Sequence, residues 1–181
     1  MQAQGHQVST TQRNDGQISR SWRKPCEGWV KCNTDAAIFE HKGYTGYGCV
    51  IRDANGKMVA AKNGLFRGVL NPALAEAVSC KEALNWVKTL GINRVILESN
   101  AQQVIFVLNN TMENFSYFGL VFNDCKILAK DLGECFFVFT NKSANQVAHT
   151  LIRANCFLPD QGIWMTNPLS FLMNVLKFDD Y

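Results

Sequence analysis

Along WVKCNTDAAIF, residues 29–39, side chains alternate: Val30, Cys32 and Thr34 fall on one face, and Lys31, Asn33 and Asp35 on the other. That period of two predicts a strand. In YGCVIRDANGKMVAAKNGLF, 47–66, two apolar runs flank Asp53-Ala54-Asn55-Gly56, and Asn-Gly is a strong hairpin signal. The first three elements therefore read as an antiparallel meander. NPALAEAVSCKEALNWVKTLG, 71–91, changes period. Asn71 suits a helix N-cap, Pro72 the first helical position and Gly91 the end. At 100° per residue Ala73, Ala77, Cys80, Ala83, Leu84 and Val87 form the inward stripe, with Glu76 on the same side and Glu82 facing solvent.

Val95-Ile96-Leu97 is continuously apolar, as expected of a central strand covered on both faces. Helical patterns follow over Gln102–Leu108 and Tyr117–Leu132, then an aromatic-rich strand over 134–140 and a helix over 143–154. The C-terminal WMTNPLSFLMNVLKFDDY reads as a Pro-started amphipathic turn or short helix. Three strands, a helix, a strand, helices, a strand and a helix make a mixed α/β sheet of five strands with helices packed on it.

Composition adds boundaries. The 181 residues fit one domain, and residues 1–24, rich in Gln, Ser, Thr, Asn and Gly, read as a disordered tail before a domain over 25–181. Within it, 29–155 form the core and 156–181 a C-terminal extension. No apolar run approaches the ~18–20 residues of a membrane span, and the N-terminus has no apolar signal core. The expected setting is intracellular, with nucleus and cytoplasm not distinguished, and the expected state a monomer. The seven cysteines form no C-x-x-C pair and read as free thiols of a reducing compartment. Net charge is +3, all of it from residues 1–31; the remainder holds 13 basic and 13 acidic side chains. The core is therefore not a uniformly basic nucleic-acid binder, and such contact must come from local patches or the basic tail.

Three positions carry candidate chemistry. Asp35 is an acid inside the first strand, Glu76 an acid on the inward side of the first helix, and Asn100 closes the central strand after Glu98 and Ser99. If the sheet brings them together, the oxygen cluster calls for a cation, because close carboxylates repel one another; Mg²⁺ suits such hard ligands. Each has an ordinary reading too. Asp35 fits a surface acid, Glu76 an ion pair, Asn100 a helix cap, and His149 a half-buried core histidine. No Gly-rich phosphate loop is present, since GYTGYG lies between strands and not before a helix.

Taken in order, KCNTDAA, GYGCVIRDANGK, LAEAVSCKEAL, VILESNAQQVI and ANQVAHTLIR resemble the type 1 ribonuclease H fold over about 29–155. The resemblance is closest to the ribonuclease H-like domains of plant retroelement reverse transcriptases and their stand-alone relatives. It implies catalytic carboxylates at Asp35 and Glu76, a third site position at Asn100 where the family carries aspartate, and a fourth at His149. It also implies nucleic-acid contacts from Asn33, Lys142 and Asn145. The implied reaction is metal-dependent hydrolysis of the RNA strand of an RNA–DNA hybrid, with Mg²⁺, or Mn²⁺ in its place, held by Asp35, Glu76 and Asn100. Recognition would be by shape, backbone and 2′-hydroxyls. Asn100 brings no formal charge and His149 brings a nitrogen, a poor match to a hard ion. Weakened cleavage is therefore expected, the alternative being a binding or interaction scaffold that kept the fold and lost turnover.

Overall fold

A computed structural model describes residues 20–110, 117–154 and 161–178. The alternating segment forms β1 (Val30–Phe39), followed by β2 (Tyr44–Arg52) and β3 (Met58–Arg67) as an antiparallel meander. At the β2–β3 turn Gly56 takes φ +82°, the left-handed conformation that glycine adopts without steric cost. Asp53 Oδ1 there accepts the Asn55 and Lys57 N–H groups, each at 2.9 Å.

Helix α1 (Pro72–Thr89) follows, and Asn71 Oδ1 caps it by accepting the Leu74 N–H at 2.8 Å. The expected stripe is buried apart from Ala73, and Leu74, Ala75, Ser79 and Trp86 are buried as well. The extra burial arises because α1 lies between the sheet and a second helix, α3 (Tyr117–Asp131). Glu82 does not face open solvent. It is half-buried, 4.0 Å from Lys62 of β3.

Strand β4 (Arg94–Ser99) pairs parallel with β1, and β5 (Glu134–Phe139) parallel with β4. Between them run α2 (Gln102–Asn109) and α3. A 3₁₀ turn over Lys142–Asn145 leads into α4 (Gln146–Arg153), which packs on β1 and β2 from the sheet face opposite α1. At Gly48 of β2 an added Cβ would lie 3.4 Å from the Ala148 carbonyl oxygen, so α4 packs on the strand with room for a methyl group and little more.

The sheet has six strands, not five, in the order β5-β4-β1-β2-β3-β6. The extra strand, β6 (Gln161–Met165), comes from the C-terminal extension and pairs antiparallel with β3. Its five residues are too few to display a clear period. Pairing with an edge that β3 would otherwise leave open supplies the missing determinant. After it, α5 (Ser170–Phe178) places Leu172 against Val50, Ala61, Val147 and Leu151 in a second, smaller apolar cluster.

Residues 1–19 of the expected tail lie outside the described residues, but its last part packs. Trp22 is 3% exposed, with the Arg52 guanidinium 3.5 Å from its ring centroid. The packed chain thus begins ahead of the boundary that composition marks at residue 25. Among the described residues no helix is long and apolar enough to cross a membrane.

Candidate active site

Asp35 lies in β1 opposite Gly48 of β2 and is 4% exposed. Helix α4 crosses at that point and brings His149 Nδ1 to 2.8 Å from Asp35 Oδ2. From the other face, Glu76 sits just past the first turn of α1 with its carboxyl in hydrogen-bonding reach of Asp35. Its Oε2 is buried with no partner among the described residues. Burial, and then the negative charge of Asp35, push Glu76 up to about 8. Burial also raises Asp35, against the opposing pull of His149. Near neutral pH the two acids therefore share one proton, because two buried carboxylates this close cannot both ionise without a compensating cation.

Asn100 follows the last residue of β4. Its side chain does not cap α2: the N-cap position is Ala101, without a side-chain cap, and Ser99 Oγ accepts the Ala101 N–H at 3.1 Å. Instead Asn100 Oδ1 accepts a hydrogen bond from Asn145 Nδ2 at 2.8 Å. Asn145 Nδ2 also donates to the Thr34 carbonyl at 2.9 Å, tying the start of α4 to β1 one residue from Asp35.

Beneath these groups lies a polar network. Asn33 Nδ2 donates to Glu98 Oε2 at 3.0 Å and to Asn145 Oδ1 at 3.2 Å, while Asn33 Oδ1 accepts from Arg52 Nη2 at 2.8 Å. Lys31 Nζ lies 2.6 Å from Glu98 Oε1. Glu98, 4% exposed, is met by Lys31 and Asn33, as a buried charge requires, and the fully buried Arg52 lies under the Trp22 ring with Asn33 Oδ1 accepting from its Nη2.

The four positions expected to carry chemistry, Asp35, Glu76, Asn100 and His149, are thus connected to one another through β1 and the Asn145 side chain. Of the three expected to touch nucleic acid, Lys142 is exposed. Asn33 and Asn145 are both fully buried, with their amides engaged in the network and not turned to solvent. Arg52, Trp22 and Lys31 went unrecognised as parts of the site. A signal existed for Arg52, a charged residue closing the apolar run of β2, the strand paired with β1 and its Asp35. Nothing in the sequence joins Trp22 to it.

Asp35 and Glu76 fit a hard divalent cation: two anionic oxygen donors, one of them a buried acceptor lacking a donor, are what such an ion neutralises. The set is thin, however. Among the described residues no three His, Cys, Asp or Glu side chains are grouped so as to hold a metal.

No curated protein matches the chain in sequence. Solved structures do resemble it. The N-terminal ribonuclease H domain of a Mycobacterium tuberculosis protein aligns with TM-score 0.61 and 17% identity, covering 69% of this chain and 91% of that one. Ribonuclease H1 of the halophilic archaeon Halobacterium salinarum gives 0.59 and 18%, covering 71% and 98%. A ribonuclease H1 isolated from compost, in complex with an RNA/DNA hybrid, gives 0.60 and 18%, covering 68% and 94%. At these identities the likeness shows a shared fold. Residues 33–155, most of the sequence, match the model of the reverse transcriptase-like proteins. The chain belongs to that reverse transcriptase-like family and has a ribonuclease H-like fold.

Proposed function

We propose that this domain binds RNA–DNA hybrids and hydrolyses the RNA strand, slowly, with Mg²⁺ held by Asp35 and Glu76. The observation that carries the reading is the buried Asp35–Glu76 pair, with one Glu76 oxygen lacking a donor and a proton retained up to about pH 8. A structural role alone gives no reason to bury two mutually repelling acids. A bound Mg²⁺ would supply Lewis-acid activation of water and charge neutralisation at the scissile phosphate. Asp35 is oriented by His149, and Glu76 projects from a helix fixed by its Asn71 cap, so neither carboxylate needs to reorganise. That a ribonuclease H1 of the same fold forms a complex with an RNA/DNA hybrid supports the choice of ligand. The ordered motifs support placing the chain in the plant retroelement group. The six described cysteines, all free, support an intracellular setting.

A second reading has an observation of its own. Asn100 stands where the resemblance expects an aspartate, and its oxygen is engaged by Asn145. A scaffold that binds hybrid without turnover would have this site. A labelled hybrid incubated with Mg²⁺ or Mn²⁺ distinguishes the two. Slow cleavage by the parent is expected, absent in Asp35→Asn and faster by about 10²-fold in Asn100→Asp, the scale of one well-placed electrostatic group. Cleavage by Asn100→Asp alone establishes the scaffold. No cleavage by any of the three sinks the catalytic reading.

A further inference from the structure

An asparagine amide presents an acceptor on one side and two donors on the other, and only its neighbours decide which faces outward. At Asn100 that decision can be traced through the buried network. Arg52 has donors only, so the Asn33 atom 2.8 Å from its Nη2 must be oxygen. The Asn33 amino group then faces Glu98 Oε2 and the Asn145 atom at 3.2 Å, which must also be oxygen. The Asn145 amino group is thereby turned toward the Thr34 carbonyl, an acceptor only, at 2.9 Å. Two independent anchors, a guanidinium at one end and a backbone carbonyl in the middle, impose the same orientation. The second hydrogen of Asn145 Nδ2 goes to Asn100 at 2.8 Å, so the Asn100 atom on that side is its oxygen. Asn100 is half-buried, and its amino group has no partner among the described residues.

We propose that Asn100 meets the nucleic acid as a hydrogen-bond donor, its amino group directed to a phosphate oxygen, with Arg52, Asn33 and Asn145 as positioning residues that hold it in that sense. The inference rests on the nucleic-acid reading above and deepens it. An aspartate at this place would give one oxygen to Asn145 and keep a second, anionic one for a cation. The amide keeps an N–H group, whose positive end disfavours a cation and suits an anionic oxygen. Position 100 changes from cation ligand to anion donor with no change in shape, and Asn33 and Asn145 act on the ligand from full burial, through Asn100.

The test is fluorescence anisotropy of a labelled RNA–DNA hybrid of about ten base pairs in low salt. It is run at pH 6.5 in EDTA, where the acid pair still holds its proton, and repeated in Ca²⁺. Asn100→Leu, neutral and of similar size, is expected to weaken binding in EDTA about tenfold, the value of one hydrogen bond to a charged group. Asn100→Asp should weaken it further in EDTA. Asn145→Ser should weaken binding severalfold in the parent but add nothing in the Asn100→Leu background. A merely structural defect would act equally in both, and thermal unfolding of each variant checks the fold. Parent-like affinity of Asn100→Leu in EDTA overturns the inference, as does a parent that binds only with Ca²⁺. A parent that binds hybrid in neither buffer overturns the nucleic-acid reading itself.

Discussion

Replacing Glu76 by glutamine should change how stability depends on pH. The folded protein keeps a proton on Glu76 up to about pH 8, whereas an ordinary glutamate releases it near 4.5. Between those values the metal-free fold binds more protons than the unfolded chain, so stability is full below about 4.5 and falls as pH rises toward 8. At about 1.4 kcal/mol per pH unit, the gap corresponds to a ceiling of about 5 kcal/mol. Part of that ceiling is already lost by pH 5, and sharing of the proton with Asp35 divides the effect between two groups, so a loss of about 2–4 kcal/mol is expected for the parent between pH 5 and 9. Urea unfolding in EDTA across that range measures it. Glu76→Gln keeps the size and a hydrogen-bond donor toward Asp35 but cannot ionise, so its stability should vary much less over the same range. Millimolar Mg²⁺ should restore stability to the parent above pH 8, because binding to the folded state alone adds RT ln(1 + [L]/Kd), and should restore little to the variant. Parallel pH profiles for the two proteins in EDTA would refute the buried acid pair as described, whatever the catalytic outcome.

Three further perturbations probe how the site is held. Trp22→Ala removes the ring stacked over Arg52 and should cost about 3–5 kcal/mol in urea unfolding, the usual loss for a buried tryptophan; a loss below about 0.5 kcal/mol would return residues 20–24 to the tail. Gly48→Val introduces bulk where even a Cβ meets the Ala148 carbonyl and Ile152 at 3.4 Å. It should lower stability by about 1–3 kcal/mol and cut hybrid cleavage or binding by prising His149 from Asp35; unchanged unfolding would mean that α4 adjusts freely. Gly64→Ala drives a Cβ into the ring of Tyr47, which is buried and tilted against Phe66. A loss of similar size is expected in thermal unfolding, and unchanged unfolding would mean that the Tyr47 ring moves aside freely.

How much of this was legible depended on how local the determinant was. Strand β1 and helix α1 announce themselves because their periods and caps lie within a few residues: the alternation around Asp35, and the Asn71–Pro72 start that sets Glu76 just past the first turn. Those two elements supply both acids, so the acid pair was the readable half of the site. The sixth strand was not readable, because five residues of β6 form a strand only against the edge of β3, a partner about a hundred positions away. The packing of Trp22 was hidden for the same reason. A lone tryptophan in a polar stretch has no meaning until Arg52, thirty residues on, is found beneath it.

Asn100 is the furthest case. Its residue type is plain in the sequence and shows a missing charge, which a metal-centred view of the site counts only as a loss. The direction of its amide is set by Arg52 through Asn33 and Asn145, and independently by the carbonyl of Thr34. None of the four lies within forty residues of Asn100. An Asp-to-Asn difference therefore does two things at once. It removes a charge, which any comparison of side chains shows, and it turns a hydrogen-bond acceptor into a donor aimed by the rest of the fold, which only the network shows. The first effect weakens hold on a cation; the second favours hold on a phosphate. A site so built can lose turnover and still grip its ligand, which is why binding in EDTA and cleavage in Mg²⁺ are separate measurements for this protein.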